Sequence, residues 1–148
     1  AELGEGEATE LVARPTDERE YMELARRKTG ALFRAAAELG AVAADADPFT
    51  IEAFGDYAER VGVAFQIRDD VLDATADADA LGKPTGQDAE MDRPSLVQVT
   101  ELTVEEADGR ARAQSEQALD ALATSNVDES DSLEYLRHLA EFVVVRER

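Results

Sequence analysis

The sequence predicts an all-α protein. Two observations carry that expectation. Hydrophobic residues make up 44% of the 148 positions, yet only 5% are aromatic, and the apolar supply is mostly Ala, Leu and Val, a mixture that suits closely packed helices better than a sheet. Along most of the chain these residues recur at spacings of three and four, the period of a helix face. No convincing strand appears: Phe142 to Val145 is β-prone but continues a helical stripe.

Each expected element has its own local signal. Residues Ala1 to about Ala13 read as the tail of a helix, ended by Pro15. Asp17 with Glu20 forms a capping box, which opens a helix to about Ala44 with Leu24, Ala25, Ala31, Leu32, Ala35, Ala36 and Leu39 facing inward. Asp47-Pro48 supplies an N-cap and a first-turn proline. The next helix is expected to reach about Asp73, burying Ile51, Phe54, Ala58, Val61, Phe65 and Leu72, with Gly62 permitting close approach of another backbone. From Ala74 to Pro94 the pattern fails, and Gly82, Pro84, Gly86 and Pro94 mark a loop of roughly 20 residues, a length usually functional or mobile. Periodicity resumes at Ser95. Thr103 with Glu106 caps a helix to about Ala123, Asn126 to Ser130 turns, and Asp131 with Glu134 caps a last helix burying Leu133, Leu136, Leu139 and Ala140. At least five helices are expected.

Charge and composition narrow the partners. The net charge of −19 provides no basic face for nucleic acid or for an anionic membrane. There is no cysteine, no apolar run long enough to span a bilayer and no signal peptide, so a cytoplasmic protein is expected. Of 15 basic residues, only Lys28 and Lys83 are lysine. Many acids with few lysines suit a cytoplasm at molar salt, where the Debye length of about 3 Å screens a dense acidic surface. The two surviving lysines become candidates for tasks that need an ammonium.

Chemistry concentrates after Phe65. Asp69 and Asp73 lie four apart on one helical face, with Asp70 beside them. Carboxylates so crowded repel unless a cation sits between them, and oxygen-only ligands suit Mg²⁺, which often bridges to phosphates. The motif alone is weak, since a solvated acidic face would also explain it. However, Gly82-Lys83-Pro84-Thr85-Gly86-Gln87-Asp88 comes next, and an ammonium beside bound Mg²⁺ would complete the neutralisation of a diphosphate.

The string Phe65-Gln66-Ile67-Arg68-Asp69-Asp70-Val71-Leu72-Asp73, together with that loop, resembles the second aspartate-rich motif of the trans-isoprenyl diphosphate synthases, FQxxDDxxD then GKxxGxD. Other segments match in family order. Lys28-Thr29-Gly30 is similar to the family's Lys-Thr pair, and Gly6 to Leu11 to its GQxxDL segment, with Glu7 for Gln and Glu10 for Asp. Arg93-Pro94-Ser95-Leu96 resembles the KxT segment, with arginine for lysine, and Leu139 to Arg146 resembles the family's C-terminus.

The resemblance implies an antiparallel helical bundle, part of the class I isoprenoid synthase fold. It implies a Mg²⁺-dependent prenyl transfer that joins an allylic diphosphate to isopentenyl diphosphate, in a homodimer. Asp69 and Asp73 are then metal ligands and Asp70 a ligand or supporting group. Lys28 and Lys83 bind diphosphate, with Arg93 beside them, while Gln66 and Thr29 orient the diphosphate or the reacting carbon. Asp88, Glu7 and Glu10 are secondary candidates: Asp88 alternatively orders the loop, Arg93 is alternatively a surface charge, and Glu7 and Glu10 are equally helix-surface acids. Phe65 reads as core, and His138 has no assigned role. The family's first aspartate-rich motif is absent from residues 1–148. The expectation is therefore the C-terminal half of a protein about twice as long, inactive by itself. A non-catalytic subunit that pairs with a synthase is the alternative.

Overall fold

A computed structural model describes residues 15–79, 102–125 and 127–145, apart from the side chains of residues 74–79. Among the described residues there is no strand, and no helix is long and apolar enough to cross a membrane. The expected helix before Pro15, the loop beyond residue 79 and the resumption at Ser95 lie outside the described residues.

The first rod has two α-helices, α1 (Glu18–Ala25) and α2 (Ala31–Ala43), joined without a break by a π turn (Arg26–Gly30). Asp17 caps α1 through the Glu20 N–H at 2.8 Å. The reciprocal half of the expected box shifts by one residue, because Glu20 accepts from the N–H and hydroxyl of Thr16 instead. At its far end α2 closes in a Schellman motif: the Ala46 N–H reaches Ala41 O and the Asp45 N–H reaches Val42 O. Asp45 sits at the left-handed position with φ 62°, which a short polar side chain tolerates better than most.

Helix α3 (Pro48–Asp79) begins as expected, with Asp47 accepting from the Thr50 N–H at 2.7 Å. It continues past Asp73, since the alanine-rich run to Asp79 holds no breaker before Gly82. Helix α3 is also buried around most of its girth, with α1 and α2 on one flank and α4 (Val104–Ala123) on the other. Hence Tyr57, Val63, Ala64, Ile67 and Val71 are buried beside the expected Ala58 and Val61, while Ile51, Phe54, Phe65 and Leu72 are only half-buried. Phe65 packs on the core and pairs with Phe33, ring centroids 6.0 Å apart.

The Thr103 capping box of α4 is complete, with both reciprocal bonds formed. The last helix, α5 (Asp131–Val145), is capped one residue earlier than expected: Ser130 Oγ accepts from the Leu133 N–H. Leu133 and Ala140 are buried and Leu136 and Leu139 half-buried. The Tyr57 hydroxyl donates to Leu136 O at 2.7 Å, and Ser115 donates to Ala140 O at 2.7 Å, tying α5 to α3 and α4. Alanines 64, 107, 111, 118 and 140 are fully enclosed, so small side chains let these helices approach closely.

The largest departure from expectation concerns α2. Leu32 and Leu39 are 54% and 70% exposed, and Ala35 and Ala36 are exposed too. The face packed on α3 instead carries Gly30, Phe33, Ala37 and Ala41. The π turn is the reason. Carried on at 3.6 residues per turn, the stripe of Tyr21, Leu24 and Ala25 would lead to Leu32, Ala36 and Leu39. One extra residue in the turn rotates α2 by about 100° and substitutes Phe33, Ala37 and Ala41.

The first rod and α3 meet in close backbone contact at paired glycines, Gly30 at the end of the π turn and Gly62. A Cβ on Gly62 would lie 3.1 Å from Gly30 Cα, Thr29 O and Phe33 Cγ. Two of those atoms are backbone and cannot yield unless the helices separate. Gly62→Ala is therefore expected to destabilise the protein by about 1–2 kcal/mol in urea unfolding. Gly109→Ala, in an exposed stretch of α4 with nothing within 4 Å, should instead stabilise by about 1 kcal/mol. Equal and same-signed shifts for the two would contradict the crossing.

Candidate functional site

Helix α3 holds the acidic motif in a fixed rotation by two clamps. On one side Arg68 Nη1 pairs with Asp108 of α4 at 2.8 Å, and the arginine is only 13% exposed. On the other, the Tyr21 hydroxyl of α1 donates to Asp70 Oδ2 at 2.6 Å in the interior. Residues 68 and 70 lie about 200° apart around a helix, so the motif cannot roll. The remaining acids, Asp69 and Asp73, are half-buried one turn apart.

Asp70 is thus enclosed. It is 6% exposed, and the Gln66 amide Nε2 donates to both its oxygens at 3.0 Å. Burial pushes its carboxyl up to about 6, with the carboxylates of Asp69 and Asp73 adding to the push and the bonds from Tyr21 and Gln66 opposing it. The Tyr21 phenol is raised well above its ordinary value, first by burial and then by the field and hydrogen bond of Asp70.

Gln66 extends the chain of bonds to the π turn. With its NH₂ turned to Asp70, its carbonyl Oε1 faces Thr29, whose hydroxyl donates to it. This polarity is self-consistent, because a carboxylate only accepts. The relay runs from Tyr21 through Asp70 and Gln66 to Thr29, and the Gly30–Gly62 contact brings the two rods that carry it together. Lys28 lies in the same π turn as Thr29.

Of the residues singled out from the sequence, Thr29, Gln66 and Asp70 are hydrogen-bonded together, Lys28 adjoins them, and Asp69 and Asp73 share the motif's helix. Glu7, Glu10, Lys83, Asp88 and Arg93 lie outside the described residues. Tyr21 was not among the sequence candidates. Its position on the Leu24–Ala25 stripe marks it as inward, but nothing local names its partner 49 residues away. As to a metal, no group of three ligating side chains converges among the described residues. Two carboxylates nonetheless fit Mg²⁺, which commonly takes one or two and completes its shell with water and phosphate.

The profile of the polyprenyl synthetase family matches residues 1–138. The chain belongs to the polyprenyl synthetase family. It is 36% identical over 141 residues to the short chain isoprenyl diphosphate synthase of Methanocaldococcus jannaschii, covering 93% of this chain and 41% of that protein. To the farnesyl diphosphate synthase of Escherichia coli it is 36% identical over 127 residues, covering 83% of this chain and 40% of that one. Among solved structures, a polyprenyl synthase from Caulobacter crescentus complexed with calcium and isoprenyl diphosphate superposes with a TM-score of 0.80 at 28% identity, covering 99% of this chain and 56% of its own. A decaprenyl diphosphate synthase from Rhodobacter capsulatus gives 0.78 at 29%, covering 99% and 57%. The fold is the all-α isoprenoid synthase fold, and the chain spans about two-fifths of the length of these two curated relatives.

In this polyprenyl synthetase chain the raised Asp70 carboxyl links stability to pH. Its folded value lies above its unfolded one, so the folded state holds the proton more tightly between about pH 4 and 6. Stability from this group is full below pH 4 and is lost as pH rises through 6. Relative to wild type, Asp70→Asn should therefore gain about 2 kcal/mol between pH 4 and pH 7 in the absence of metal, read from urea unfolding at each pH. A difference that stays flat over that range would contradict the burial of a charged Asp70.

Proposed function

We propose that this chain is the C-terminal half of a trans-isoprenyl diphosphate synthase. The full-length protein would condense an allylic diphosphate with isopentenyl diphosphate in a Mg²⁺-dependent reaction. The observation that carries the reading is the junction of the Lys28–Thr29 turn with Gln66 and the acidic motif across the Gly30–Gly62 contact. The names of the relatives support it, as does the calcium and isoprenyl diphosphate of the Caulobacter structure.

In this reading Asp69 and Asp73 hold Mg²⁺, whose bound charge stabilises the departing diphosphate. Lys28, Lys83 and Arg93 bind the diphosphate oxygens. Asp88 orders the glycine-containing loop, and Glu7 and Glu10 are secondary members of the site. Thr29 acquires a narrower role than its sequence allowed. Its hydrogen is committed to Gln66, so it presents lone pairs rather than a donor. Lone pairs favour a carbon gaining positive charge over a diphosphate oxygen. Homodimer formation and a cytoplasmic, salt-rich setting for the acidic surface belong to the same proposal.

The test is incorporation of labelled isopentenyl diphosphate into a longer allylic product by the full-length protein, with and without Mg²⁺. We expect Mg²⁺-dependent transfer, a fall in kcat/KM of roughly 100-fold or more for Asp69→Ala, and no transfer by the isolated 148 residues. Transfer by the isolated chain would overturn the half-site reading. A full-length protein that stimulates another synthase without transferring prenyl groups itself would point to a non-catalytic subunit.

A further inference from the structure

We infer that Tyr21 is a positioning residue for the prenyl-transfer centre, acting through Asp70 to set which way the Gln66 amide and the Thr29 hydroxyl face. The inference rests on the proposed prenyl-transfer function. Tyr21 is 3% exposed and sits on α1, a full turn before the π turn. Its ring lies in the core cluster, but its hydroxyl is spent on one atom, Asp70 Oδ2 at 2.6 Å. Asp70 receives no other cross-helix bond from α1 or α4 among those the structure gives it; its remaining donor is Gln66, one turn back on its own helix.

The effect propagates link by link. Without the phenol, one oxygen of an enclosed carboxylate loses its strongest neutral donor, and the group can be compensated only by shifting toward Gln66 or by taking up water. Either response moves the Gln66 amide. Gln66 Oε1 is what holds the Thr29 hydrogen, so the orientation of Thr29 changes although Tyr21 touches neither residue. Asp70 serves in this scheme as the middle of a relay and leaves metal binding to Asp69 and Asp73.

The experiment compares Tyr21→Phe with Tyr57→Phe in the full-length protein. Tyr57 is a matched control: it is also buried, at 6% exposure, and its hydroxyl also bonds across helices, to Leu136 O at 2.7 Å. Both variants should lose similar stability. Tyr21→Phe alone should lower kcat by about 10- to 100-fold, with the KM of both diphosphates and the Mg²⁺ requirement within about twofold of wild type. A second readout is independent of turnover. In ligand-free protein labelled with ¹⁵N-glutamine, the Gln66 side-chain NH₂ signal, identified by its loss in Gln66→Glu, should shift in Tyr21→Phe and stay in place in Tyr57→Phe.

Wild-type kcat together with an unmoved Gln66 signal in Tyr21→Phe would overturn the inference, as would an equal kcat loss in the two variants. Should Tyr21→Phe fail to fold, Asp70→Asn carries the test. Its side chain leaves one acceptor oxygen where the Gln66 NH₂ bonds two, so the Gln66 amide should reorient and kcat should fall with the Mg²⁺ requirement unchanged. A raised Mg²⁺ requirement would assign Asp70 to the metal and overturn the relay. If wild type shows no prenyl transfer at all, the functional reading fails instead, and the Gln66 signal still decides whether Tyr21 orients that amide.

Discussion

The close contact of Gly30 with Gly62 is the constraint on which the rest of the arrangement depends. A Cβ on Gly62 would press on backbone atoms at 3.1 Å and push the two rods apart, and the contact falls where the π turn ends. Upstream of the contact, Tyr21 meets Asp70; at it, Thr29 meets Gln66; downstream, Arg34 meets Asp56 at 2.8 Å and Glu52 at 2.9 Å. The pairs run in opposite order along the two rods, so a single antiparallel crossing aligns a buried relay, a candidate substrate turn and an ionic seam. Gly55 differs, since a Cβ there would meet only the movable ends of Glu38 and Arg34.

Energetically, the crossing joins unlike regions. Around Val61, Ala64, Ile67 and Val71 the packing is apolar and small, where the hydrophobic effect stabilises by about 25 cal/mol per Å² of buried apolar area. On the same stretch of helix, burial works against the Asp70 carboxylate and raises its proton affinity. A buried acid on an otherwise apolar helix costs stability, and sites that bind charge commonly accept that cost for a fixed geometry. Here the fixing comes from both flanks, through Arg68 with Asp108 and Tyr21 with Asp70.

Local signals were legible in the sequence wherever their partners lie within a turn. Asp47-Pro48 and Thr103 with Glu106 start their helices as expected, and Gly62 admits the close neighbour its position suggested. Errors of a single residue at Glu20 and Asp131 arose because an adjacent Thr16 or Ser130 offered an equally good hydrogen-bond partner. The inward face of α2 was misread for a different reason: a π turn changes the period, and no residue type announces one. The girth-wide burial of α3 comes from having neighbours on both flanks, which an amphipathic stripe cannot reveal. As for the site, the acidic motif and the Lys28-Thr29 pair stood out by spacing and family likeness, whereas the Tyr21 bond spans two helices and became visible only in three dimensions.

The extra residue of the π turn leaves α2 with two apolar stripes, one used and one exposed. Removing one residue from Arg26–Gly30 would straighten the ladder and leave Phe33, Ala37 and Ala41 on the face toward α3. Rewinding the stretch as ordinary α-helix, with no residue removed, would instead turn α2 so that Leu32, Ala36 and Leu39 swing onto α3. The sequence thus stores a latent second register for this helix, one with larger side chains at the crossing and no place for Thr29 beside Gln66. An alignment gap of one position in this stretch would mark a homologue with an ordinary α turn here and the same helix face on α3, whatever its identity elsewhere.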